Sequence, residues 1–168
     1  VHDDGGCGVA NTLAAVRAGV RHVQGTINGY GERCGNANLC SVIPALELKL
    51  GLPCLPAGRL KTIGDVSRFV AEVANLAQDT HQPYVGKSAF AHKGGIHVAA
   101  MRRTAASYQH VDPDLVGNEM RVVVSELSGR GNLQSKAEEF GVAGGDLAGI
   151  LDEIKLLESK GFSFEAAE

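Results

Sequence analysis

The first 51 residues order themselves as loop, helix, strand, loop and helix, and that order constrains the fold more than any other feature of the chain. Val9, Leu13, Val16 and Val20 recur at helical spacing with Ala10, Ala14 and Ala15 between them. This predicts a helix over 9–18, with Gly19 in the left-handed position just past its end. Residues 20–26 read as a short strand that runs into a loop rich in Gly, Asn and charge. A second helix over 41–50 carries Val42, Ile43, Leu46 and Leu50; Pro44 is tolerable only near its first turn, and Gly51 ends it. A parallel strand buries both faces and needs neighbours, so one strand between two helices makes no stable core alone. The polar run His2-Asp3-Asp4-Gly5-Gly6 has the character of a loop just after a parallel strand, at the carboxyl edge of a sheet, where α/β proteins bind ligands. The expectation is an α/β chain that begins just after a strand, as a C-terminal slice of a larger parallel domain.

Leu52-Pro53-Cys54-Leu55-Pro56-Ala57-Gly58 has two prolines, a glycine and no periodicity, and reads as a linker. Beyond it the pattern turns helical. Thr62 and Asp65 form a T-x-x-D capping box ahead of Val66, Phe69, Val70, Val73 and Leu76, one apolar face kept for about four turns. A loop over 80–95, bearing His81 and His92, leads to His97 and a short helical piece near 96–102. Asp112-Pro113 reads as N-cap and first residue of another short helix, while Arg121-Val122-Val123-Val124 is too β-branched to sit comfortably in one. Helices over 132–140 and 146–160, stopped by Gly141 and Gly161, close the chain. The domains expected are 1–51, a linker at 52–58, a helical subdomain over 59–110 and a second over 111–168.

Composition excludes several classes. Hydrophobic residues make up 44% of the 168 positions and charged residues 21%, a balance that buries a core and rules out a disordered chain. The formal net charge of −3, with 5% aromatics and no Trp, supplies neither a basic footprint nor stacking platforms for nucleic acid. No run approaches the roughly 18 consecutive apolar residues of a membrane span, and the N-terminus lacks a secretory-signal layout, so no membrane partner and a cytoplasmic location are expected. Cys7, Cys34, Cys40 and Cys54 form no C-x-x-C pair, as reduced thiols of a reducing compartment do.

Chemistry concentrates in residues 25–38, GTINGYGERCGNAN. Four glycines in eleven positions let the backbone fold tightly, and Glu32, Arg33 and Asn36 crowd polar groups into it. The residues alone leave two readings open, a ligand-binding loop or a turn with a Glu-Arg ion pair and an Asn cap. No phosphate-cradling pattern is present. His2 with Asp3 and Asp4 offers a mixed nitrogen and oxygen set for a divalent cation, or else a solvated chain start. Phe90-Ala91-His92-Lys93-Gly94-Gly95-Ile96-His97 places two histidines around a Gly-Gly hinge, suited to proton transfer from a moving loop or to a plain surface loop. Tyr108 is an acid partner or a turn anchor, and Arg130 in Ser125–Gly131 an anion contact or part of a turn.

Together these stretches resemble the 2-isopropylmalate, homocitrate and citramalate synthases, which condense acetyl-CoA with a 2-keto acid on a TIM (β/α)8 barrel. Val1–Asn11 is similar to the end of that family's H-x-H-N-D strand motif, and residues 25–39 to its G-T-x-N-G-x-G-E-R-x-G-N signature. The resemblance implies an α/β fold, the C-terminal slice of such a barrel followed by mainly helical subdomains. It implies a divalent metal (Mg²⁺, Mn²⁺ or Zn²⁺) held partly by His2, the second His of H-x-H, with Asn36 at the metal-associated Asn. Asp3 stands where the family has Asn, and the first His and the D-R-E motif would precede Val1. It further implies catalytic roles for Glu32, His97 and Tyr108, acetyl-CoA as co-substrate, and a domain-crossed homodimer. Val98-Ala99 after His97 resembles the citramalate branch rather than the Gln-Asp of isopropylmalate synthases, which makes pyruvate the expected keto acid and the isoleucine route the expected context. A slice of this kind is expected to be inactive alone. The competing class is a non-catalytic dimerisation module that keeps the helical subdomains without the barrel.

Overall fold

Hydrogen bonds from the polar start of the chain organise the first helix. In the computed structural model, which describes residues 1–92, 100, 104, 108–122, 137 and 146–162, the Asp3 carboxylate accepts from the Gly8 N–H at 2.5 Å and opens helix α1 (Gly8–Arg17). Gly19, at φ 107°, closes it: its N–H bonds to the Val16 carbonyl and that of Val20 to Ala15, both at 3.0 Å, a Schellman end as expected. The strand expected over 20–26 does not form. Residues 20–25 join no ladder among the described residues, and only Thr26 pairs, in a parallel bridge to Asn38. A strand exists through its hydrogen-bonded neighbour, and none lies alongside this stretch in the described residues.

Asn38 caps helix α2 (Leu39–Pro44) by accepting from the Cys40 N–H at 2.9 Å. Pro44 sits at the sixth position rather than in the first turn, without an N–H to continue the ladder. The helix continues as a wider π turn, Ala45–Lys49, in which Leu50 N–H reaches the Ala45 carbonyl at 3.1 Å. Ala37, Val42 and Leu46 form a buried cluster against Val9, Leu13, Val16, Leu39 and Leu50, so α1 and α2 share one apolar seam. Residues 52–58 have no regular structure beyond a turn, yet they are tied to this seam: the Glu47 carboxylate accepts from the N–H groups of Cys54 (3.1 Å) and Leu55 (2.8 Å).

A 3₁₀ turn, Arg59–Thr62, leads into α3 (Ile63–Val73). The expected capping box fails here. Thr62 makes no cap; its hydroxyl donates to the Arg59 carbonyl at 2.9 Å, because the preceding turn holds its backbone near φ −90°, ψ 0° rather than extended. The apolar face points outward, with Val66, Phe69, Val73 and Leu76 all exposed and Phe69 at 65%, while Ile63, Gly64, Ser67 and Ala71 are buried. The side that packs is the side with small residues. The expected Asp112-Pro113 start is present: Asp112 accepts from Asp114 N–H at 3.1 Å, and the 3₁₀ turn Pro113–Val116 buries Val116 completely. Asn118 then donates to the carbonyls of Tyr84 and Gly86 at 2.9 and 3.0 Å.

These elements belong to one compact unit, Val1–Ala89 with Val111–Glu119; the second comprises Phe90–His110 with Met120–Glu168. In the second, β1 (Ala91–His92) pairs in parallel with β2 (Arg121–Val122), so the β-branched run does begin as strand. Buried Phe90 stacks on the His110 ring at a centroid distance of 5.9 Å. Helix α4 (Leu147–Glu158) starts on Asp146, which accepts from Gly149 N–H at 3.1 Å, and buries Leu151. The helices expected over 96–102 and 132–140 lie outside the described residues apart from single positions. No helix among the described residues is long and apolar enough to cross a membrane. The α/β class holds, with little sheet.

Candidate functional site

The glycine-rich stretch 25–38 folds back on the chain start. Asp3 N–H donates to the Gly35 carbonyl and Ala37 N–H to the Val1 carbonyl, both at 2.9 Å, which makes His2 and Asn36 an antiparallel pair. The bonds flank the pair instead of joining it, and in that arrangement the two Cα atoms lie roughly 4.5 Å apart with side chains on one face. His2 and Asn36, 34 positions apart in sequence and both expected at a metal, are thus neighbours. Asn36 Nδ2 donates to the Tyr30 carbonyl at 3.2 Å, which turns Oδ1 away from that contact and makes it the atom of this side chain that could ligate a cation. An imidazole nitrogen beside a carboxamide oxygen fits Mg²⁺, Mn²⁺ or a catalytic Zn²⁺ as part of a larger donor set. Among the described residues, no three His, Cys, Asp or Glu gather to complete it.

The two aspartates beside His2 are engaged elsewhere. Asp3 caps α1, and Asp4 accepts from Arg33 Nε at 3.0 Å. Arg33 also faces Glu32 at 3.8 Å, so the expected Glu-Arg pair exists, with Asp4 the nearer partner. Glu32 itself is exposed, its side chain 79% accessible. Such exposed pairs contribute about 0–1 kcal/mol, so they orient the loop more than they stabilise it.

Backbone contacts give the loop its shape. Asn36 N–H donates to the Gly29 carbonyl at 2.9 Å, and Gly35, at φ 97°, passes so close that a Cβ there would lie 2.1 Å from that same oxygen. Thr26 Oγ1 donates to the Tyr30 carbonyl at 2.6 Å, the oxygen that Asn36 also uses. Of the two readings left open by the sequence, the turn is present, with its ion pair and with Asn38 as cap; the same fold sets Asn36 opposite His2.

Tyr108 lies in the second unit and is 46% exposed. His97, Lys93-Gly94-Gly95 and the Ser125–Gly131 stretch lie outside the described residues. What sequence reasoning missed is Asn28. At φ 62° it is left-handed, and its Nδ2 donates to the Ser67 carbonyl at 2.9 Å. Its Oδ1 accepts from the Ser67 hydroxyl at 2.6 Å, from Gln82 Nε2 at 3.2 Å and from the Cys40 thiol at 3.6 Å. Gln78 Nε2 adds a bond to the Ser67 hydroxyl at 2.7 Å. The available signal was Asn28-Gly29 itself, since Asn before Gly is the ordinary way to enter the left-handed region. Burial pushes the Cys40 thiol above its usual pKa, opposed in part by hydrogen bonds to Asn28 and Ser67.

An HMGL-like family model matches residues 1–70, and a homocitrate synthase post-HMGL domain-like model matches 84–161. An (R)-citramalate synthase of Geobacter sulfurreducens is 54% identical over 99% of this chain and 32% of its own length. Another from Synechocystis is 55% identical over 99% of the chain and 31% of its own length. A 2-isopropylmalate synthase of Sulfolobus acidocaldarius is 37% identical over 99% of the chain and 43% of its own length. The chain spans about a third of the length of the two citramalate synthases. With both family segments matched in order and 99% of its length aligned, the chain belongs to the family of citramalate, homocitrate and 2-isopropylmalate synthases.

Proposed function

We propose that the full-length protein carrying this chain condenses acetyl-CoA with pyruvate to give citramalate, as a step in branched-chain amino-acid biosynthesis. The observation that carries the reading is the His2–Asn36 pair, two residues set opposite each other by flanking backbone bonds. The higher identity to citramalate synthases than to the 2-isopropylmalate synthase supports pyruvate over larger keto acids.

His2 and Asn36 are the residues of this chain that would hold a divalent metal, as part of a larger donor set. When bound, that metal polarises the keto carbonyl as a Lewis acid. His97 and Tyr108 take the acid and base roles, exchanging protons at the acetyl-CoA methyl and at the keto oxygen. The methyl loses its proton, the enolate carbon attacks the keto carbon, the oxygen is protonated, and hydrolysis of the thioester releases CoA. Glu32, on the same loop as Asn36, takes the third catalytic role. Residues 1–51 are the end of the barrel, 52–58 the linker, and 59–110 and 111–168 helical subdomains of a cytoplasmic homodimer.

The test is CoA release from acetyl-CoA by the full-length protein with Mg²⁺ or Mn²⁺, offering pyruvate and 2-ketoisovalerate separately. Release with pyruvate alone is expected. Preference for 2-ketoisovalerate or a longer keto acid moves the assignment to isopropylmalate or homocitrate synthesis. No release with any keto acid, together with a stable dimer, leaves the dimerisation module instead.

A further inference from the structure

The Asn28 cluster lies off the paired His2 and Asn36, yet one backbone link joins them. Asn28 is followed by Gly29, whose carbonyl accepts the Asn36 N–H at 2.9 Å and packs against Gly35. Both ends of the Asn28 carboxamide are committed. Nδ2 is spent on the Ser67 carbonyl, and Oδ1 receives the Ser67 hydroxyl, Gln82 and the Cys40 thiol. Ser67 and Cys40 are fully buried and Gln82 is 5% exposed, so water does not compete for these bonds. Such a set fixes the position of Asn28 from three separate segments, α2, α3 and the loop after it. The left-handed backbone at 28 and 29, at φ 62° and 72°, then directs the Gly29 carbonyl at Asn36.

We propose that Asn28 is a positioning residue for the metal and keto-acid site, transmitting the placement of Ser67 and Gln82 to Asn36 through the Gly29 carbonyl. The proposal rests on the reading of Asn36 as a metal-associated residue. It gives α3 a role that its exposed apolar face does not suggest: its small, buried side holds the site's loop. The contribution of Asn28 is to ligand placement, so its loss weakens binding of metal and keto acid more than it slows turnover at saturation.

The test uses the full-length protein and three variants: Asn28→Gly, which keeps the left-handed backbone and removes only the carboxamide; Ser67→Ala, which removes one donor at a position remote from the ligands; and Asn36→Ala. Free Mn²⁺ is titrated by electron paramagnetic resonance, pyruvate KM and kcat are read from CoA release, and thermal melting is followed by circular dichroism. Asn28→Gly is expected to weaken Mn²⁺ binding and raise pyruvate KM by about 10-fold or more, in the range seen when groups that orient a metal ligand are lost, with kcat changed far less. Ser67→Ala shifts the same two constants in the same direction by a smaller factor. If Asn28→Gly fails to fold, Ser67→Ala decides alone. The proposal is overturned if the folded variants bind Mn²⁺ and pyruvate within twofold of the parent while Asn36→Ala does not, even where melting falls, since that marks a purely structural cluster. If Asn36→Ala binds Mn²⁺ as the parent does, the metal reading itself fails, and the role of Asn28 with it.

Discussion

Residues 25–38 and helix α3 meet at Asn28, and they are held there by different physics. The loop is fixed by directed bonds: the Gly29, Tyr30 and Gly35 carbonyls each take an identified donor, and Asn38 caps the next helix. Helix α3 instead approaches on Gly64, Ser67 and Ala71, one face at i, i+3 and i+7, and turns Val66, Phe69 and Val73 to the other side. Bonds with direction specify their partner from local sequence. An apolar stripe specifies only that something apolar covers it, and in this unit the other side of α3 is the buried one, with Gly64 near Val116 and Gly117 and Ser67 bonded to Asn28.

The comparison breaks most visibly at Gly35. A methyl group there would stand 2.1 Å from the Gly29 oxygen on a backbone at φ 97°. Gly35→Ala is expected to destabilise the chain by about 2–4 kcal/mol, from the left-handed penalty plus overpacking against backbone. Urea unfolding measures it; a loss below about 1 kcal/mol would mean that the loop relaxes freely and is not fixed by its bonds.

Next in size come paired substitutions on the two sides of α3. Ala71 is 3% exposed, and Ala71→Leu is expected to lose about 1–3 kcal/mol by overpacking. Phe69→Ser, on the exposed face, is expected to change stability of the chain by within about 0.5 kcal/mol. Equal losses from both would show that the outward face is covered after all.

The reach of the sequence follows the same division. Gly19 closing α1, Asn38 capping α2, Asp112-Pro113 opening a turn and Gly161 ending α4 were all legible, because each is a bond or a φ angle set within a few residues. His2 was legible as a candidate ligand from the carboxylates beside it, and Asn36 as metal-associated only through the resemblance; their adjacency depends on a turn that returns the chain across 34 positions. The strand over 20–26 was misread because it is decided by neighbours, and the side of α3 that becomes buried is decided in the same way. A run such as Val20-Arg21-His22-Val23 is a strand only where another lies beside it. Thr62 was misread for a subtler reason: a capping box needs an extended residue, and the 3₁₀ turn before α3 removes it.

A smaller effect probes the joint between linker and helix. Glu47→Ala deletes the acceptor of the Cys54 and Leu55 N–H groups, both at or near the surface where water replaces it, so the expected cost is about 1 kcal/mol. Amide exchange is the sensitive readout: those two N–H groups should exchange faster in the variant, with the α1–α2 seam unchanged. Unaltered exchange would mean that 52–58 is held by something other than the carboxylate.

The smallest expected difference is in thiol chemistry, and it samples the loop-to-α3 junction directly. Cys7, Cys34 and Cys54 are exposed and Cys40 is fully buried under Asn28. Attack on a disulfide reagent requires the thiolate. Burial raises the pKa of Cys40, and burial together with the nearby Glu47 charge raises that of Cys54. Labelling should therefore proceed at Cys7 and Cys34 first and at Cys54 more slowly, with Cys40 reacting only as the unit opens. The pH dependence has a definite sign. The folded Cys40 keeps its proton to higher pH than the unfolded chain does, so its contribution to stability is intact below about pH 8.5, the range of a free thiol, and is lost as pH rises through the raised folded value. Stability should fall on the alkaline side, less steeply in Cys40→Ala than in the parent. Labelling of Cys40 as fast as Cys34 at neutral pH would show that the junction opens readily, and that the bonds around Asn28 do not hold the loop to α3.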